Sequence, residues 1–325
     1  MGELNQASVK SNGKNFFKMV WKEYSVVVIF VVVFAVCAII APKFATANNL
    51  RAVLRNISTI GMISLGMTFV LISGGIDLSS GAVLATSGTV LILLQGSGAV
   101  PLWVAIAMCI AAAVGFGFIN GIIITKTNMP PFIVTLAVGI IARSVTMFVT
   151  KAATITGNNV PEFTNIGNGS VLGVPNPFWI VLIAAVFLTI LLTKTKFGTY
   201  VFAVGGNETA AKYSGIKVDK IKILTYMLLG LCVAIAATIE MSRMAAVAST
   251  TSGNMYEFEA ITAAIVGGTS FSGGRGKIIG TVVGFLILGI ISNMMIMMNI
   301  SPYLNGAVKG AVILFAVLFQ RRERQ

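Results

Sequence analysis

Long apolar runs alternate with short polar ones along almost the whole chain, and a membrane-crossing helix takes roughly 20 consecutive apolar residues. On that measure the sequence predicts about ten spans, near residues 24–41, 57–73, 79–95, 102–124, 130–149, 177–193, 222–246, 257–271, 278–298 and 304–320. The third and the eighth are rich in Gly, Ser and Thr. They are expected to be broken or half-spanning helices that line a cavity, where irregular backbone is tolerated at membrane depth. The fold class that follows is an all-α polytopic membrane bundle. It has a polar tail over residues 1–23, a membrane domain over 24–320 and a short tail over 321–325.

The longest polar interruption is residues 194–222, with Lys194, Lys196, Lys212, Lys217, Lys220 and Lys222. Positive charge beside spans marks the cytoplasmic face, so this island is expected there. Ten spans with both termini inside also place Lys126, Arg275, Lys277 and the terminal arginines in the cytoplasm. Lys43, Arg51, Arg55 and Lys151 fall outside. Asn48 to Asn56 carries two arginines among Leu50, Val53 and Leu54, and is expected to be an amphipathic helix on the outer surface.

Within the island a short helix is legible. Asn207 suits the N-cap, Glu208 the positive end of the dipole, Lys212 the negative end and Gly215 the left-handed stop. Such a helix, presenting the small residues Ala210 and Ala211, is suited to being held by another protein.

Composition supports the membrane reading. Of 325 residues 56% are hydrophobic and 10% charged, against about 25% charged in ordinary soluble domains. The net charge of +13 is spread between apolar runs instead of gathered on one face, which excludes nucleic acid as a partner and leaves membrane lipid as the surroundings. Cys37, Cys109 and Cys232 sit inside apolar runs and read as small hydrophobes. Histidine is absent, which removes the commonest proton relay and metal ligand. The first apolar run precedes Ala45-Thr46-Ala47, which resembles a cleavage site. Its length and its long preceding tail favour an uncleaved anchor.

Motifs for nucleotide chemistry fail in detail. Gly276-Lys277 resembles the end of a P-loop, but Phe271 and Ile278 stand where glycine and a hydroxyl are needed. No nucleophile, base and orienting partner recur at usable spacing, so no catalytic residue, metal site or bound cofactor is expected. Gly117 with Gly121, Gly276 with Gly280 and Gly284, and Gly306 with Gly310 read as helix-packing GxxxG pairs.

Ionisable groups at membrane depth are functional candidates. Glu240 and Arg243, three apart on one helix, can form an internal ion pair or mark a pathway. Arg143 and Lys309 are expected to snorkel to the outer interface. Asp77, in Gly74-Gly75-Ile76-Asp77-Leu78-Ser79, is expected to orient its hairpin by accepting backbone hydrogen bonds. Asn120 lies on a Gly-rich helix. Glu257 and Glu259 open the eighth span, where acids favour a helix start.

Taken together and in order, five segments resemble the permease subunits of ribose-type monosaccharide ABC importers of bacteria. They are Ile72 to Ser79, Asn120-Gly121 with Pro131 to Leu136, Gly205 to Val218, Ala260 to Gly274, and Gly306 to Leu314. The resemblance implies a plasma-membrane conduit that works with a second permease copy or paralogue, two cytoplasmic ATP-binding cassettes and an extracytoplasmic sugar-binding protein. ATP and magnesium would be bound by the cassettes. It assigns Gly205, Gly206, Asn207, Glu208, Ala210, Ala211, Lys212, Ser214 and Gly215 to the segment that engages the ATPase. Asp77, Asn120, Gly267 and Gly268 fall in motifs near the pathway, which Glu240 and Arg243 are candidates to join. Glu257-Phe258-Glu259-Ala260-Ile261, where relatives carry Glu-Leu-Asp-Ala-Ile, and Ser144 after Arg143, where glycine is usual, leave the sugar open. Ribose is the first expectation. The alternative is an ion-coupled secondary transporter, which would need buried carboxylates for its ion, and only Asp77 and Glu240 come close.

Overall fold

The computed structural model describes residues 26–301 except 128 and 159, together with Leu304, 306–308, 310, 311 and 314. The polar tail over 1–23, the C-terminal tail, Lys309 and most of the tenth expected span lie outside the described residues.

The described chain runs α1 (Val26–Ile40), α2 (Ala47–Ile72), α3 (Ser80–Ser97), α4 (Leu102–Thr127), α5 (Pro131–Thr150), β1 (Thr154–Thr156), α6 (Pro161–Asn168), β2 (Ser170–Val171), β3 (Val174–Pro175), α7 (Asn176–Lys194), α8 (Lys196–Gly206), α9 (Glu208–Tyr213), α10 (Val218–Met244), β4 (Ala246–Ala248), α11 (Tyr256–Val266) and α12 (Ile278–Met297). Among the described residues, α2, α3, α4, α5, α7, α10 and α12 are long and apolar enough to cross a membrane.

Two expectations change and one stands. The third expected span is the unbroken helix α3. The eighth is the 11-residue α11 followed by turns, a half-spanning element as the small residues suggested. Asn48 to Asn56 is no separate surface helix but the opening of α2, because no breaker stands between Asn56 and Ile57. Its arginines reach polar carbonyls at the helix end: Arg51 Nε donates to the Gly173 carbonyl over 2.9 Å and Arg55 Nη2 to that of Asn168 over 3.1 Å.

Helix α2 is the centre of the bundle, buried almost without interruption from Ile57 to Ile72. It packs on α7, α10, α11 and α12, while α4 and α10 form the most extensive pair. Ser58, Ser64 and Thr68 donate to carbonyls one turn back, and Thr68 also meets Thr281 of α12 at 2.7 Å, whereas the buried Thr59 hydroxyl has no partner among the described residues. Glycine sets the close crossings. A Cβ on Gly117 would overlap the Tyr226 carbonyl, and one on Gly284 the Ala263 carbonyl, as GxxxG spacing leads one to expect. A Cβ added at Gly306 or Gly310 would meet nothing within 4 Å, so that pair makes no close backbone crossing among the described residues.

The bundle has two distinct ends. One gathers the 73–79 turn, the α4–α5 and α7–α10 connections and the 267–277 turn, with Lys126 paired to Asp219 at 3.2 Å. At the other lie α6 and two small antiparallel pairs, β1 with β4 and β2 with β3. There Asn49 and Asn293 exchange amide hydrogen bonds of 2.9 Å, and Gln95 grips the backbone of Asn158. Residues 151–175 read as plain loop in sequence because these elements are so short.

Candidate functional site

The basic island folds as two helices. Thr195 caps α8, accepting from the Gly198 amide over 3.3 Å, and Phe197 stacks on Phe69 of α2 with centroids 6.1 Å apart. Asn207 closes α8 and opens α9, its Oδ1 accepting from the Ala210 amide over 2.9 Å. At the far end Gly215 has φ +81° and donates to Lys212, while the Ile216 amide donates to Ala211. These bonds satisfy helix-end groups that would otherwise lack partners. Lys222 Nζ, at the start of α10, bonds Glu208 Oε2 at 2.6 Å, tying α9 to a spanning helix.

One expected contact residue is misplaced. Ala211 is buried against the bundle at 4% exposure, because position i+4 from Asn207 turns inward. The outward surface of α9 consists of Asn207, Glu208, Thr209, Ala210, Lys212, Tyr213 and Ser214, with Tyr213 88% exposed. An aromatic residue in a polar six-residue helix was the available signal for Tyr213.

Beneath this helix three glycine pairs converge. A Cβ on Gly205 would overlap the Ile72 carbonyl and stand 2.8 Å from the Gly274 nitrogen. One on Gly273 would stand 2.7 Å from the Gly205 carbonyl and 3.1 Å from the Gly74 Cα. The Gly274 amide donates to the Ile72 carbonyl over 2.8 Å. Backbone therefore touches backbone where the turn after α2, the end of α8 and the turn after α11 meet. Gly74 and Gly273, at φ +82°, need the conformational freedom that glycine alone has.

Following the first of these turns inward, Asp77 is buried. Its Oδ1 accepts from the Ser79 amide and hydroxyl, each over 2.7 Å, and Asn120 Nδ2 donates to Asp77 Oδ2 over 3.2 Å and to Ser79 Oγ over 2.9 Å. The Leu78 amide donates to Thr135 Oγ1 over 3.0 Å and Tyr226 OH to the Ile76 carbonyl over 3.1 Å. The carboxylate thus orders its own turn, and Asn120 of α4, Thr135 of α5 and Tyr226 of α10 hold it. The amide oxygen of Asn120 is buried without a hydrogen-bond partner among the described residues. Sequence spacing brought Asp77 and Asn120 into view but not Thr135 or Tyr226.

The remaining candidates separate. Gly267 packs on the backbone of Gly280, and Gly268 sits in an exposed turn at φ +88°. Glu240 and Arg243 form no ion pair. Arg243 Nη1 donates to Asn56 Oδ1 over 2.8 Å, whereas Glu240 is buried, its Oε2 without a hydrogen-bond partner among the described residues. Spacing of i,i+3 permits a pair, but Asn56 of α2 takes the Arg243 guanidinium instead. Arg143 does not snorkel outward either. Its Nη1 donates to the carbonyls of Ser249 and Ser252 over 2.9 and 2.7 Å. Among the described residues no group of three or more His, Cys, Asp or Glu converges as a metal site would require.

The family model described as "Branched-chain amino acid transport system / permease component" matches residues 49–317. The ribose import permease protein RbsC of Escherichia coli (strain K12) is 38% identical over 96% of this chain and 98% of its own length. RbsC of Bacillus subtilis (strain 168) is 44% identical over 89% of each. The L-arabinose transport system permease protein AraH of Escherichia coli (strain K12) is 38% identical over 95% of this chain and 93% of its own. No solved structure matches.

Proposed function

The chain belongs to the branched-chain amino acid transport system / permease component family, and from that premise we propose that it is the membrane subunit through which an ABC importer admits a monosaccharide. The observation that carries this is similarity over nearly the full length to permeases named for ribose and L-arabinose. The chain is a multi-pass protein of the inner membrane and is not itself an enzyme. ATP hydrolysis belongs to a partner ATPase, which would bind the ATP and magnesium.

In this reading the lysine-rich end of the bundle faces the cytoplasm, where positive charge accumulates beside spans. Ten spans with both termini inside would return α1 and the final apolar run across the same membrane. A capped helix on that face offers a rigid handle: α9, held by Lys222 and by the glycine junction, would seat in the ATPase. Two cassettes would serve two permease subunits, identical or paralogous, and an extracytoplasmic binding protein would deliver sugar to the opposite end. Asp77 and Asn120 would keep the turn beside the passage in one shape while nucleotide-driven closure moves α9. Ribose is the first choice of cargo.

The test is reconstitution in liposomes with the cassette ATPase and the binding protein. The expected result is D-ribose uptake that needs ATP and the binding protein. Uptake by the chain alone under a sodium or proton gradient would favour ion-coupled secondary transport instead.

A further inference from the structure

We propose that Arg143 and Glu257, which meet over the backbone of Gly81, line the passage taken by the transported solute and contact its hydroxyl groups in transit; this rests on the permease reading above. Three elements bring them together: α5 carries Arg143, the first turn of α11 carries Glu257 and the first turn of α3 carries Gly81. Arg143 Nη2 approaches the Gly81 carbonyl at 3.4 Å, and the Glu257 carboxylate sits against the Gly81 backbone. A side chain at position 81 would collide with that carboxylate and with the Gly253 carbonyl. Glycine there keeps the two charged groups close without separating them.

Depth makes the arrangement informative. At 1.5 Å rise per residue, Arg143 lies about 10 Å inside the Thr150 end of α5 and about 18 Å from its Pro131 end. A hydrocarbon core about 30 Å thick would enclose that level. Both charged residues are nonetheless partly exposed there, and Asn254 nearby is exposed. Charge open to lipid at such depth is expensive, whereas charge facing a watery passage is not. The ion pairs within 4.0 Å among the described residues are Lys126–Asp219 and Lys222–Glu208, so Arg143 and Glu257 are not closed onto each other. A guanidinium donor beside a carboxylate acceptor matches a polyol, whose hydroxyls give and take hydrogen bonds at once.

The experiment uses the assembled importer in liposomes, in a background where Cys37, Cys109 and Cys232 are replaced by serine. Asn254→Cys and Glu257→Cys should react with a water-soluble methanethiosulfonate, and Phe148→Cys should not. In the otherwise unaltered chain, Glu257→Gln and Arg143→Lys should lower uptake per ATP hydrolysed by about tenfold or more, with D-ribose or L-arabinose as the cargo the importer accepts. ATP hydrolysis stimulated by the binding protein should stay within about twofold, as should the thermal midpoint within error. Unreactive Asn254→Cys and Glu257→Cys, or full uptake by Glu257→Gln, would overturn the proposal and leave the permease reading intact. No stimulated hydrolysis by the importer assembled with the unaltered chain would overturn both.

Discussion

The Gly274 amide donates to the carbonyl of Ile72 over 2.8 Å, joining the turn after α11 to the last residue of α2. Gly205 is wedged against the same carbonyl, so any displacement of the α8–α9 segment presses directly on both turns. Main-chain contacts of this kind leave no side chain to yield, which suits a joint that must transmit motion.

Replacement of Gly205 should therefore be costly. Gly205→Val is expected to destabilise by about 1–3 kcal/mol or more, the range for overpacked interiors, and to lower the melting temperature of the detergent-solubilised protein. Gly206→Ala, where an added Cβ meets nothing within 4 Å, should leave it unchanged. Equal melting temperatures for the two variants would show that the junction yields.

Asn120 supplies donors to both Asp77 and Ser79. Removing them in Asn120→Ala leaves buried acceptors unpaired, at about 1–3 kcal/mol. Asn120→Asp sets a second carboxylate against the first and should be worse. Thermal unfolding of the three proteins should rank wild type, then Asn120→Ala, then Asn120→Asp, and any other order would show that the amide does not hold the turn.

The two alanines of α9 should behave differently. Ala211→Glu forces a charge into a buried position and should reduce the folded protein recovered from membranes. Ala210→Glu sits on the exposed face and should leave recovery intact while weakening co-purification with the ATPase. Tyr213→Ala should share the second behaviour. Undiminished co-purification of both exposed-face variants would remove α9 from the contact.

Gly117 and Gly115 offer a similar contrast within one helix. A side chain at Gly117 runs into the backbone of Tyr226 and Met227, whereas Gly115 faces open space. Gly117→Leu should separate α4 from α10 and abolish stable expression, and Gly115→Leu should express normally, as read by immunoblot of membrane fractions.

What the sequence shows and what it hides follow from range. The cap at Asn207, the stop at Gly215 and the close crossing at Gly117 depend on neighbours in sequence or on the absence of a side chain, and these were legible. Arg143 was misread because its partners, Ser249 and Ser252, come from a connection far along the chain that folds inward over it. Glu240 and Arg243 looked like a pair because spacing reports what a helix allows and not what Asn56 offers Arg243 instead. The two arginines near Asn56 suggested a surface helix, although hydrophobicity fell there only because α2 emerges into a polar layer.

The central claim is that a conduit borrows its motor through α9 on the cytoplasmic face. In a chain whose three native cysteines are replaced by serine, Tyr213→Cys should resist a membrane-impermeant maleimide in intact cells. It should react in inside-out vesicles and be protected there when the ATPase is bound. Labelling from outside intact cells would contradict the account.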